Sequence, residues 1–291
     1  MTEAKIISDR ACQLGEGPTY DPATGTLYWF DIVEMKLLEK RLPDGAVATH
    51  NLPFMASALA VIDADRQLLL SETGLHIRDA KTGALSPHLA VEADNPLTRS
   101  NDARVHPAGA LWFGTMAKVE EGPPAGAIYW YRKGQLRTLF SPIAIPNSIC
   151  FSADGSIAYF VDSAVNHLMR VDCDPATGLP TGEPVIFIDA SSEQGGVDGS
   201  IVDAEGVVWN AHWGQGCVNA YSPDGRKIKS VPVPARQSSC PVFIGKQAQH
   251  LACTSAWKGM TDAERAADSM GGFTFLLDID VKGRFEPPVL L

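Results

Sequence analysis

The 291 residues carry 24 Lys and Arg against 34 Asp and Glu, a formal charge of −10. No basic run offsets it, which argues against nucleic acid as a partner. With 45% hydrophobic and 20% charged residues, the composition is that of a folded globular chain rather than a disordered one.

The longest apolar run, residues 58–62, falls far short of the roughly 18 residues that span a bilayer. The opening MTEAKIISDRACQLGEGP has acidic residues and no apolar core of signal-peptide length. The expectation is a soluble cytoplasmic monomer with no membrane partner.

In chain order, a strand near residues 5–7 precedes a series of similar turns. DPATGTLYWF (21–30), DADRQLLLS (63–71), HPAGALWFG (106–114), SADGSIAYFVD (152–162), DAEGVVWNA (203–211) and SPDGRKI (222–228) share one grammar. A polar or Pro-containing turn ends in Gly, and a strand rich in aromatic and β-branched residues follows. Arg66 replaces the Gly in the second of these. TDAERAAD (261–268) predicts a short surface helix with Thr261 as N-cap and Glu264 completing a capping box. The tail FEPPVLL and the strand near 5–7 are candidates to close a ring between the first and last units.

The strand before each turn starts near Gly17, Ala58, Asn101, Asn147, Asp198 and Cys240. The spacing is about 45 residues, a period typical of propeller blades. The predicted fold is all-β: one domain, 1–291, forming a six-bladed β-propeller of four-stranded blades around a central channel.

Cys12, Cys150, Cys173, Cys217, Cys240 and Cys253 form no CxxC pair and read as free, buried thiols. The seven His show no metal-site spacing. His106 reads as a solvated turn residue, and His212 as structural. The Trp residues read as blade packing, with Trp213 the exception that could rim the channel.

In a propeller the starts of the innermost strands converge on one mouth of the channel. Glu16, Asn101 with Arg99 and Asp102, Asn147, and Asp198 occupy four of these starts; those in FMASAL and SSCPVF are apolar or weakly polar. Each of these residues alone is ordinary turn chemistry. Together they form a hard-oxygen donor set suited to a divalent cation such as calcium, magnesium or manganese. Two carboxylates, Glu16 and Asp198, nearly neutralise such an ion, and one or two Asn oxygens complete the protein side.

LGEGP, RSNDA followed by WFGTM, IPNSICFSADG with YFVDS, and VDGSIVDAEGVVW together resemble the senescence-marker-protein/gluconolactonase family, which includes regucalcin and bacterial aldonolactonases. The resemblance runs from about residue 14 to the GGFTF strand near 275. It implies a six-bladed propeller holding one divalent cation, with Glu16, Asn147 and Asp198 as metal ligands. It also implies Arg99 and Asn101 as contacts to a sugar lactone, and Asp198 as general base. Where regucalcin-like members place an acidic residue after GTMA, this chain has Lys118 and Val119, with Glu120 and Glu121 shifted beyond them.

Chemically, a dication polarises a lactone carbonyl, Asp198 accepts a proton from the attacking water, and Arg99 holds developing charge or ring hydroxyls. The expected activity is metal-dependent hydrolysis of a sugar lactone to the aldonic acid. Calcium is the foremost cation, with zinc, manganese, magnesium or ferrous iron also compatible. The alternatives are a calcium-binding, regucalcin-like platform without catalysis, and a paraoxonase-like esterase.

Overall fold

The computed structural model describes residues 4–119 and 122–291. Among these residues the only helix is Asp262–Ala267; the other elements are strands. The helix forms where the sequence places it. Thr261 Oγ1 accepts from the Glu264 amide, and the Glu264 carboxylate accepts from the Thr261 amide.

The strands run as antiparallel meanders. Four of them, beginning with Gly15–Asp21, Ala56–Val61, Thr98–Val105 and Pro146–Phe151, are separate four-stranded sheets. Two further meanders, beginning with Gly196–Val202 and Gln237–Ile244, share one eight-stranded sheet because Trp213 pairs with Gln237. The architecture is therefore all-β and propeller-like, but six separate sheets are not seen, since this one pair fuses the last two.

The first strand of each meander touches the first strands before and after it, and Gln237–Ile244 returns to Gly15–Asp21. The ring is also closed at its outside, where Lys5–Ser8 pairs antiparallel with Thr274–Asp280. The 285–291 tail does not join this seam. It crosses the far end of the channel. Arg284 donates to the Val202 carbonyl, Glu286 meets Arg104, and Val289 and Leu290 donate to the Val61 and Gly109 carbonyls.

Apolar faces fill the gaps between adjacent sheets. Trp112 and Phe151 meet edge-on at 5.4 Å, and Phe140 stacks on Phe160 at 4.6 Å. Burying each such ring contributes about 2–3 kcal/mol before entropy is counted. Trp29, Trp112, Trp130 and Trp209 are buried, as expected of packing residues. All six cysteines are free and buried.

His106 differs from expectation. It is buried rather than solvated, its Nε2 lies 2.9 Å from the Gly155 carbonyl, and its ring meets Phe151 edge-on. Gly155 and Gly178, lacking Cβ atoms, leave the room for its ring. Burial lowers its pKa.

Candidate active site and metal centre

Every inner strand carries one register irregularity against its neighbour. These fall between Glu16 and Thr19, Ala56 and Ala58, Ser100 and Ala103, Asn147 and Cys150, Val197 and Ser200, and Ser238 and Pro241. A bulge bends a strand and re-aims its side chains, and here the bulges lie at the cavity end of the channel. Glu16 and Asn147 are the last paired residues before their bulges. Asn101 and Asp198 sit one position further, within them. The four starts are therefore equivalent to within one residue rather than in strict register.

Two of these bulges contain a residue in the αL region. Gly17 has φ 54°, and a Cβ there would stand 1.9 Å from the Ser57 carbonyl oxygen of the next inner strand. Ser148 has φ 57° and is fully buried. Its hydroxyl donates to the Asp198 carbonyl and lies 2.8 Å from the Ser200 hydroxyl.

The structure brings five of the six expected residues to one cavity of about 390 Å³, lined by Glu16, Arg99, Asn101, Asn147 and Asp198. That volume suits a small, single-ring ligand. Arg99, Asn101, Asn147 and Asp198 are buried and Glu16 is half-buried. Leu14, Met116, Ile145, Val197 and Trp213 supply apolar wall, and Lys258 stands on the lining.

The polar contacts run in sequence. Arg99 Nη1 donates to the Ser100 carbonyl at 2.8 Å and to Asn101 Oδ1 at 2.7 Å. Asn101 Nδ2 donates to the Pro146 carbonyl at 2.9 Å and to Asn147 Oδ1 at 2.7 Å. Asn147 Nδ2 donates to Ser163 Oγ at 3.0 Å, and Ser163 Oγ donates to the Val197 carbonyl at 2.7 Å. Asn210 Nδ2 braces the Asp198 and Gly199 carbonyls at 3.1 and 3.3 Å.

Asp102 does not line the cavity. It accepts from the Ile149 amide at 2.7 Å and the Ala103 amide at 2.9 Å, joining two inner strands below the site.

Burial pushes Glu16 up to about 8, with the Asp102 charge adding to it. Burial, then the charges of Glu16 and Asp102, hold Asp198 well above the usual carboxylate range. Two mutually repelling carboxylates and an amide oxygen around one cavity fit a hard dication, which would relieve that repulsion. Among the described residues no group of three or more His, Cys, Asp and Glu stands at metal-binding spacing. The amide oxygens of Asn147 and Asn101 are the neutral oxygen groups that stand beside these two carboxylates on the cavity lining.

Several contributors were not legible in the sequence. Ser163, Ser148 and Asn210 act on the site residues through hydrogen bonds, and the position two residues past Val161, which pairs with Asn147, is the signal that would have suggested Ser163. His212 is buried, with Nε2 3.1 Å from the Gln194 carbonyl, as suits a structural residue. Lys118 is engaged by Glu72 at 2.5 Å. Glu120 and Glu121 lie outside the described residues.

Such a ring, with an oxygen-donor cavity at one end, defines a propeller-like fold with a small-molecule site in its channel. The SMP-30/gluconolactonase/LRE-like region matches residues 14–257, and the chain belongs to this family. It is 54% identical over 97% of its length, and 96% of the relative's, to a Rhizobium meliloti (strain 1021) protein named "Putative sugar lactone lactonase". It is 35% identical to the L-arabinolactonase of Azospirillum brasilense, covering 94% of this chain and 91% of that one. Among solved structures, a calcium-binding protein, regucalcin, from Agrobacterium tumefaciens str. C58 superposes with a TM-score of 0.98 at 50% identity, covering 100% of this chain and 98% of that one.

Proposed function

We propose that the protein hydrolyses a sugar lactone to the aldonic acid in the channel of a single-domain, six-bladed propeller spanning 1–291. The fused eight-stranded sheet counts as two blades in this reading, because one residue pair joins two otherwise complete meanders. The observation that carries the functional reading is the convergence of Glu16, Asn147 and Asp198 with Arg99 on one cavity. Lactonase names among its relatives support it.

Glu16, Asn147 and Asp198 would hold one divalent cation, calcium foremost. When bound, the cation supplies Lewis acidity toward the lactone carbonyl. Asp198 takes a proton from the attacking water, its carboxylate aimed by the braced bulge. Arg99 steadies the developing oxyanion or ring hydroxyls. Asn101 holds Asn147 on one side and faces the substrate on the other. No covalent nucleophile is needed. Six free, buried thiols suit a reducing cytoplasmic setting; no helix among the described residues is long and apolar enough to cross a membrane. The reading is of a monomer acting on a small molecule.

The test is a panel of pentono- and hexonolactones alongside aryl esters, run on metal-stripped protein reloaded with single cations. Lactone opening restored by a divalent cation is expected. Opening that survives exhaustive stripping removes the metal from the reading, and ester turnover without lactone turnover favours the paraoxonase-like alternative. The similarity to the Agrobacterium calcium-binding protein favours one second reading, a calcium-holding platform. Calcium binding with no turnover on any panel member would establish it.

A further inference from the structure

We propose that Ser163 is a positioning residue that fixes which end of the Asn147 side-chain amide faces the cavity. This rests on the reading of Asn147 as a cation ligand.

The argument is one of hydrogen-bond direction. Asn147 can ligate a cation only through Oδ1, because its amide nitrogen has no lone pair to give. The two ends of an amide are close in size, so sterics alone do not choose between them. The network does. It starts at Arg99, whose guanidinium only donates, and ends at the Val197 carbonyl, which only accepts.

Between these ends every link has a forced direction. Arg99 Nη1 donates to Asn101 Oδ1 at 2.7 Å, so the Asn101 amino group must face onward, to Asn147 Oδ1 at 2.7 Å. From the other end, the Ser163 hydroxyl has one proton and gives it to the Val197 carbonyl at 2.7 Å. Toward Asn147 it can then only accept, and Asn147 Nδ2 fills that role at 3.0 Å. A flipped Asn147 would set amino group against amino group at Asn101 and leave its oxygen facing a hydroxyl already committed elsewhere. Ser163 and Asn101 thus pin the amide from opposite ends, and Oδ1 keeps its second lone pair for the cavity. Ser163 itself lies on the cavity lining, and its bond to Val197 ties the strand end after Asp162 to the residue preceding Asp198.

The experiment is calorimetric titration of calcium ion into metal-free wild type, Ser163→Ala, Asn147→Asp and the double variant. A carboxylate has two equivalent oxygens, so orientation ceases to matter in Asn147→Asp. Ser163→Ala is expected to weaken calcium binding about 10-fold in the otherwise wild-type protein, in line with other groups that orient a ligand. Made on top of Asn147→Asp, the same change is expected to have less than about a twofold effect. Ser163→Thr, which keeps the hydroxyl, is expected to restore binding.

Unchanged affinity in Ser163→Ala, or an equal loss with and without Asn147→Asp, overturns the proposal and leaves the lactonase reading standing. A wild type that binds neither calcium nor zinc, manganese, magnesium or ferrous ion in the same titration overturns the metal reading and this proposal with it. Should the alanine variant fail to fold, Ser163→Cys, with its weakly hydrogen-bonding thiol, repeats the comparison.

Discussion

Arg104 and Glu286, 182 positions apart in the chain, meet at 2.8 Å at the end of the channel away from the cavity. Arg104 is buried and also donates to the Ser200 carbonyl at 3.3 Å. The tail therefore reaches the same inner strands that present the site residues. Glu286→Gln should destabilise the protein by about 3 kcal/mol, because it removes the carboxylate ion-paired with a buried guanidinium. Arg104→Met with Glu286→Leu should recover most of the loss. Urea denaturation midpoints decide it; a single variant no less stable than wild type would show that the pair contributes little.

Gly17 and Gly134 both adopt positive φ, 54° and 74°, but only Gly17 is hemmed in by neighbouring backbone. Gly17→Ala should cost roughly 3 kcal/mol or more from strain plus clash, and Gly134→Ala about 1 kcal/mol from φ alone. Equal thermal shifts for the two would refute the inter-strand crowding argument.

Asp198→Asn should fold normally and lose about 100-fold or more in kcat, the contribution of a positioned proton acceptor. Initial rates on the best lactone, at saturating cation, provide the measurement. Near-wild-type turnover would take Asp198 out of the chemistry.

Burial pushes Asp102 up to about 6, against the pull of Arg104 and two backbone amides. Its ordinary value is lower, so in the metal-free protein the folded state binds this proton more tightly than the unfolded state between pH about 4 and 6. Stability from this group is present at the acid end of that window, falls as pH rises through it, and is level above; the loss is about 3 kcal/mol. Asp102→Asn should lack that decline. Thermal midpoints taken across the window should diverge for the two proteins, and parallel curves would contradict the assignment.

The turn-and-strand repeat was readable because Gly at positive φ and alternating apolar residues leave a local trace. DGS and AEG turns therefore located the sheets correctly, and Thr261 with Glu264 located the helix. The convergence of Glu16, Arg99, Asn101, Asn147 and Asp198 was readable because the period carries equivalent positions to one end of the ring. The details that escaped are non-local. The Trp213–Gln237 pair that fuses two sheets depends on the distance between neighbouring meanders. The burial of His106 depends on glycines at 155 and 178, 49 and 72 residues further along the chain. The tail's path under the channel is set by Arg104, Val61 and Gly109, which no short motif connects.

The pairing of Lys5–Ser8 with Thr274–Asp280 has a bearing on biogenesis. During synthesis the first of these segments emerges about 270 residues ahead of its partner, so ring closure is out of reach until residues 274–280 have been made. Until then Lys5–Ser8 lacks its native partner strand and is left as an unpaired β-edge on the growing polypeptide.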